Sequence, residues 1–173
     1  SPDGGALMIA VADRAHIYDA ATGALAGTLK HDGAISSASL SPDGALVLTS
    51  SEDASVRLWD ARPTMLDPTA MRHAGNIRSV AISPDGTLIA TGSEDKTARL
   101  WRGATGAPVG APMAHGGAVE HVEFSADGSR LVTLGGETHL WDARTGKLVG
   151  RLMHGGAVSR VVFSAHGSRL VTL

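Results

Sequence analysis

The stretch Ile77–Trp101 reads IRSVAISPDGTLIATGSEDKTARLW and decides the fold of this chain. Pro84 presets the φ angle at the second position of a turn, and Gly86 accepts the positive φ that closes the turn. A second turn follows, in which the Asp95 carboxylate can accept hydrogen bonds from backbone N–H groups. The stretch therefore predicts an antiparallel meander of three strands, over Ile77–Ser83, Thr87–Gly92 and Thr97–Trp101.

The features of this stretch recur along the whole chain at intervals of about 40 residues. A histidine marks one register, an aromatic residue a second, and a Ser-x-x-Gly turn a third. Three markers with one period indicate tandem repeats of a single supersecondary unit. The markers are His31, His73, His115 and His154; Tyr18, Trp59, Trp101 and Trp141; and the turns that start at Ser1, Ser41, Ser83, Ser125 and Ser164.

Together these markers resemble the tryptophan–aspartate (WD) repeat of β-propellers, in which His-x-x-x-Val/Ile is followed by Ser-Pro-Asp-Gly, Ser-x-Asp and Leu-Trp-Asp. The resemblance covers essentially the whole chain. It implies an all-β fold, a β-propeller of four-stranded antiparallel WD-repeat blades, with about four blades in a single unit over residues 1–173. The implied bounds are about 1–30 for blade 1, 31–72 for blade 2, 73–114 for blade 3, 115–153 for blade 4, and 154–173 for closing strands.

The internal pattern of the blades predicts two further features. No stretch shows an apolar period of 3.6 residues, so we expect no helix. We expect the outer segment of blade 2, Ala61–Arg72, to be irregular, because Pro63 and Pro68 cannot donate to a strand ladder. On the innermost strands, the apolar residues that should share one face are Val80 with Ile82, Val122 with Phe124, and Val161 with Phe163.

The periodic histidines are open to a metal or catalytic interpretation, but the resemblance implies a structural one. In the WD family a histidine, a threonine, an aspartate and a tryptophan form one hydrogen-bonded chain within a blade. The implied residues are His31, Thr49, Asp53 and Trp59 in blade 2; His73, Thr91, Asp95 and Trp101 in blade 3; and His115, Thr133 and Trp141 in blade 4.

Blades 1 and 4 depart from this pattern. The turn Gly135-Gly136-Glu137 of blade 4 is two residues shorter than its counterparts and has no aspartate, and blade 1 has Tyr18 in place of tryptophan. We therefore expect these two blades to be held less firmly.

The number of strands is one more than four blades need. Blade 1 begins at its second strand, Ala6–Val11, while the tail adds Val158–Ser164 and Arg169–Leu173. Two arrangements remain open: two chains form one eight-bladed ring in which each tail completes the partner's blade 1, or the chain belongs to a longer parent. We favour the homodimer, because an open ring exposes a sheet edge and an apolar face. We expect one copy of the duplicated second strand to be displaced or frayed.

By resemblance, partners of such propellers bind the face formed by the outer-to-inner loops, the turns between the second and third strands, and the start of each inner strand. The leading interpretation is a non-catalytic protein-interaction scaffold, although these residues can equally be solvated loop positions. A tight peptide site is not expected, because aromatic anchors are absent and Ala34, Ala118 and Ala157 stand at comparable positions. The candidate residues are Glu52, Asn76, Arg78, Glu94, Glu120, Ser159 and Arg160.

Two other function classes are alternatives to the scaffold. The first is self-assembly as a natural or engineered repeat fragment, favoured by the near-identity of His115–Val119 and His154–Val158. The second is an enzyme acting at the channel, for which Glu120, His121 and Glu123 are the only candidate cluster. No motif of a hydrolase, a nucleotide-binding protein or a metalloprotease is present, so we expect no enzyme and no cofactor or metal.

Composition narrows the partners further. The 15 basic and 17 acidic residues give a net charge of −2 without a basic block, which argues against nucleic acid or anionic membrane as a partner. The absence of cysteine excludes disulfides and thiolate metal sites. No apolar run approaches the roughly 20 residues of a membrane span. We expect a cytoplasmic protein, and its Ala/Gly/Arg-rich composition resembles bacterial members of the family.

Overall fold

The computed structural model describes residues 1, 4–41, 43–60, 69–154, 158, 161–164 and 169–172. These residues form seventeen strands in five antiparallel sheets, with no helix among them. The all-β expectation is thereby confirmed. The sheets follow one another in chain order, and we refer to the first four as blades 1 to 4.

Each blade is an up-and-down sheet. Blade 1 contains β1 (Ala6–Val11), β2 (Arg14–Asp19) and β3 (Leu25–Lys30). Blade 2 contains β4 (Ile35–Leu40), β5 (Leu46–Ser51), β6 (Ser55–Asp60) and β7 (Thr69–Arg72). Blade 3 contains β8 (Ile77–Ile82), β9 (Leu88–Ser93), β10 (Thr97–Arg102) and β11 (Pro108–Ala114). Blade 4 contains β12 (His121–Phe124), β13 (Arg130–Gly135), β14 (Glu137–Asp142) and β15 (Leu148–Leu152). The tail hairpin consists of β16 (Val161–Phe163) and β17 (Leu170–Thr172).

The turns form for the reasons that the sequence indicates. In the turn between β8 and β9, Gly86 has φ of +71° and donates its N–H to the carbonyl of Ser83 at 2.8 Å. Asp85 accepts from the Ser83 hydroxyl at 2.6 Å and from the Thr87 N–H at 3.0 Å. The next turn is closed by Asp95, whose carboxylate accepts the N–H of Thr97 at 2.9 Å.

Apolar clusters between successive blades form the core. Each innermost strand turns its alternate residues toward the preceding blade, as expected: Val80 and Ile82 belong to one cluster, and Val122 and Phe124 to the next. The innermost strands also lie beside one another, β4 next to β8 and β8 next to β12. Blade 1 packs on blade 2 through Ala15, Ile17, Leu29, Val47 and Trp59; blade 4 packs on the tail hairpin through Val132, Leu134 and Val161.

Two of the differences from the sequence-based boundaries have a clear physical cause. Thr69–Arg72 forms a regular strand, because Met71 opposite Val56 is buried against blade 3. Pro63 and Pro68 lie outside the described residues. The inner strand of blade 4 begins at His121 and not at Val119, because the N–H of Val119 donates at 2.9 Å to the Ser93 carbonyl of blade 3.

Among the described residues, no strand of the tail pairs with blade 1. In the part of the chain that the structure describes, β1 pairs with β2 alone, whereas β16 pairs with β17 and packs against blade 4. The described parts of the two copies of the duplicated second strand, β1 and β17, are each paired with a neighbouring strand. The reason is that they belong to different sheets and do not compete for one position.

The close approach of blades 3 and 4 requires glycine at position 92. A Cβ atom there would lie 2.7 Å from Val119 Cγ1 and 2.9 Å from the Val119 carbonyl oxygen. We expect Gly92→Ala to lower the free energy of unfolding by about 1–3 kcal/mol, measured by urea denaturation, because the two blades must move apart. Gly27→Ala is the matched control: it lies in a strand with nothing within 4 Å of the added Cβ. Equal effects of the two substitutions would contradict this packing.

Candidate functional site

The periodic side chains of blades 2 and 3 form one continuous hydrogen-bonded chain in each blade. In blade 2, the indole Nε1–H of Trp59 donates to Thr49 Oγ1 at 2.7 Å, and Thr49 Oγ1 lies 2.7 Å from His31 Nε2. His31 Nδ1 lies 3.0 Å from Asp53 Oδ2. Blade 3 repeats the arrangement with Trp101, Thr91, His73 and Asp95, at 2.9, 2.7 and 2.9 Å.

The direction of the chain follows from what each group can donate. An ionised carboxylate only accepts, so Nδ1–H of the histidine donates to the aspartate, and Nε2 is left to accept the threonine hydroxyl proton. Burial lowers the pKa of His31 and of His73 below the usual value, and the aspartate opposes this only in part. The imidazoles are therefore neutral at pH 7. With both nitrogens engaged, they have no free lone pair for a metal or a substrate.

Two further side chains join each network that the sequence analysis did not identify. Arg57 lies 3.6 Å from the Asp53 carboxylate, and Arg99 lies 3.9 Å from that of Asp95. Ser55 donates its hydroxyl to Asp53 at 2.6 Å, as Thr97 does to Asp95. The sequence contains a signal for these side chains. In both blades a Ser/Thr follows the aspartate by two residues and an arginine follows it by four.

Blade 4 keeps only part of the chain. The Trp141 indole donates to Thr133 Oγ1 at 2.7 Å, and Thr133 Oγ1 lies 2.9 Å from His115 Nε2. His115 Nδ1 is buried without a hydrogen-bond partner, because the short turn before β14 supplies no aspartate. The ring of His139 stacks on His115 instead, with centroids 4.3 Å apart.

Blade 1 has no chain of this kind. Ile9 stands where the other blades have threonine, and Tyr18 stands where they have tryptophan. In the tail hairpin, His154 Nε2 lies 2.8 Å from Thr172 Oγ1. The threonine–histidine contact of the chain is therefore present there, in an exposed position.

The candidate interaction residues lie at the ends of the strands, where backbone hydrogen bonds join two loops of one blade. The N–H of Glu94 donates to the Asn76 carbonyl at 2.9 Å, and the N–H of Glu120 donates to the Leu134 carbonyl at 2.8 Å. Arg78 and Glu94 form an ion pair across two strands. Glu52 and Glu120 are exposed. Ser159 and Arg160 lie outside the described residues.

The channel cluster has a structural partner. Glu123 Oε2 lies 3.3 Å from His121 Nε2, and Glu123 Oε1 accepts the N–H of Phe163 in the tail hairpin at 3.3 Å. Among the described residues, no group of three histidine, aspartate, glutamate or cysteine side chains is arranged to hold a metal ion. The geometry of this cluster therefore supports docking of β16.

The aspartate of the chain should matter more than the glutamate that ends the short turn of blade 4. Asp95→Ala removes the acceptor of the buried His73 Nδ1–H and of two turn groups, and we expect it to lower the free energy of unfolding by about 2–3 kcal/mol. Glu137 is half exposed, so Glu137→Ala should change it by less than about 1 kcal/mol. Equal shifts of the melting temperature would refute the assigned role of Asp95.

These aspartates also determine the response to strong acid. Burial raises the pKa of Asp95, but hydrogen bonds from Thr97 and Ala74 outweigh it and lower the pKa to about 2, and the pKa of Asp53 is likewise about 2. Their stabilisation is thus complete above the unfolded value of 3.8 and is lost as the pH falls toward 2. Urea denaturation from pH 5 to 2 should show a steeper loss of stability in the wild type than in Asp95→Asn; parallel curves would contradict it.

Among the described residues there is no helix with the length and apolar character that crossing a membrane requires.

The sequence model of the WD domain, G-beta repeat, matches residues 23–60 and 68–102. These two ranges contain β3 to β6 and β7 to β10, so each match begins at the outer strand of one blade and runs through the third strand of the next. Among curated proteins, none matches the chain. The two matched ranges contain the hydrogen-bonded chains of blades 2 and 3 and identify these two segments as WD repeats.

Proposed function

We propose that the chain is a non-catalytic protein-interaction scaffold whose ring is completed by a second copy into an eight-bladed propeller. WD repeats generally serve protein–protein interaction, which supports the scaffold. One observation supports the second copy: blade 1 leaves uncovered the face that every other blade buries.

The open face of blade 1 consists of Leu7, Ile9 and Val11, which are 54%, 44% and 60% exposed. The residues that correspond to Leu7 in blades 2, 3 and 4 are at most 1% exposed, because each packs against the preceding blade. These are Val47, Ile89 and Leu131.

The residue types on this face favour an apolar cover. Where blades 2 and 3 have a buried threonine and serine, blade 1 has Ile9 and Val11. A solvated face has no need of β-branched apolar side chains at these positions, and contiguous apolar patches mark interaction surfaces. Leu7, Ile9 and Tyr18 also line a pocket of about 410 Å³ on this side of the blade. Among the described strands, β1 pairs with β2 alone, so its outer edge is open to a fourth strand beyond Ala6, which bonds Ser1.

A second copy offers the missing strand. β16 is an inner strand by its position in the repeat, and inner strands pair with second strands in blades 2, 3 and 4. Counting only the described residues, two copies hold thirty-four strands, seventeen each, while eight four-stranded blades need thirty-two. We therefore propose that β16 transfers to β1 of the partner and that β17 of each copy is left over.

The surface that remains for other proteins is the loop end with Glu52, Asn76, Arg78, Glu94 and Glu120. None of these five residues is an aromatic anchor, which favours weak and transient recognition over a tight site. Self-assembly without another partner is the second candidate function, favoured by the near-identical repeats that start at His115 and His154.

Light scattering on the purified chain tests the second copy. We expect the mass of two chains for the wild type, and a shift to one chain for Val11→Lys, because a cation on the open face cannot be buried. Val149→Lys is the matched control: Val149 is also a strand valine, 51% exposed, but it lies on the outer strand of blade 4.

A wild-type mass of one chain, or equal behaviour of the two lysine variants, would overturn ring completion. A mass well above two chains would favour the self-assembling array. A single chain that binds another protein through the loop end would keep the scaffold and reject the homodimer.

A further inference from the structure

Blade 4 concentrates the unsatisfied polar groups of the molecule. Within the described part of the chain, four buried side-chain nitrogen or oxygen atoms have no hydrogen-bond partner. Three of them belong to blade 4: His115 Nδ1, Thr138 Oγ1 and His139 Nδ1. A buried polar atom without a partner costs free energy, so the exceptions point to a special property of this blade.

Two of the three atoms belong to a stacked pair of imidazoles, of which His139 is buried and His115 partly buried. His139 occupies the position of Arg57 and Arg99, opposite the threonine of the hydrogen-bonded chain. Its ring is nearly parallel to that of His115, at an interplanar angle of 21°, and is only 3% exposed. In place of a carboxylate that would compensate a proton on His115, this blade holds a second titratable ring.

Of the charged groups around His115, two oppose its cation and one favours it. A positive charge on His139 or Arg151 opposes a second one on His115. Glu137 favours the cation, but it is half exposed and its carboxylate lies 3.2 Å from His139 Nε2. From blade 3, Lys96 contributes its carbonyl, which accepts the N–H of His115 at 2.9 Å. Protonation of His115 is therefore resisted as long as blade 4 stays packed.

The linkage of protonation to folding gives the direction of the effect. Burial, and after it the neighbouring His139, lowers the pKa of His115 to about 4. In the unfolded chain the same group titrates near 6.5. Between these two values the unfolded state binds more protons, so the stability is complete above pH 6.5 and falls as the pH drops toward 4. In blades 2 and 3 the aspartate limits this effect.

We propose that blade 4 is an acid-sensitive module that opens below neutral pH while blades 2 and 3 remain folded. Repeat arrays can open one unit at a time, because each unit contacts only its neighbours. Opening of blade 4 would also release the tail hairpin, since Val132 and Leu134 pack on Val161 and Glu123 accepts from Phe163. The acid-sensitive module does not depend on the presence of a second copy.

The three tryptophans provide one reporter for each of blades 2, 3 and 4. Each indole N–H donates to a threonine at 2.7 to 2.9 Å, so its nuclear magnetic resonance signal reports whether that blade is packed. The experiment is a titration of the full-length chain, labelled with ¹⁵N-tryptophan, from pH 8 to 4.5. We expect the Trp141 signal to move to the unfolded position at a higher pH than those of Trp59 and Trp101.

A variant separates the imidazole pair from other sources of acid sensitivity. His139→Gln removes the second titratable ring, and we expect it to lower the midpoint of the Trp141 transition by at least about half a pH unit. His16→Gln is the control, since His16 lies in blade 1 and bonds Thr28 at 3.0 Å. The proposal is overturned if the three wild-type signals move together, if Trp141 moves last, or if both variants leave its midpoint unchanged.

Discussion

In blades 2, 3 and 4, the buried hydroxyl group of one threonine is the contact on which the rest of the blade depends. Thr49 and Thr91 each hold a tryptophan of the third strand and a histidine that precedes the first strand. The histidine passes the chain on to the aspartate of a turn. Four segments far apart along the repeat are thereby tied together inside a sheet. In blades 2 and 3 both imidazole nitrogens are occupied, so His31 and His73 stabilise the blade.

The same contact explains the differences among the blades. Blade 4 lacks the aspartate and keeps an imidazole whose second nitrogen is unsatisfied. In blade 1, Ile9 stands at the position of the threonine, so that its face is apolar and has no hydrogen-bonded chain of this kind. Blade 4 thus has an unsatisfied polar group, which makes it sensitive to acid. Blade 1 has an exposed apolar face, which favours association. Both properties arise from single positions within one repeated pattern.

Packing between blades follows a second constraint, that of close approach. Each inner strand must lie against its predecessor, which calls for small side chains on one side and large ones on the other. Ala90 and Ala98 meet Phe124 and Leu131, and Gly92 leaves room for Val119. The stack has no internal stop, because every blade offers the next one a similar face. At blade 1 this face is open, with Leu7, Ile9 and Val11 exposed.

The sequence by itself determined the strands, the turns, the repeat and the partners within each hydrogen-bonded chain. This was possible because these features depend on short, repeated spacings, such as the four residues Ser83–Gly86. Only the tertiary structure decided which face is bare, how β16 is seated and that His139 stacks on His115. Those facts depend on which sheets meet and on residues more than 20 positions apart, and no local pattern encodes the distance between them. The Arg57 and Arg99 contacts lay between these cases: their spacing was visible, but their role required the fold.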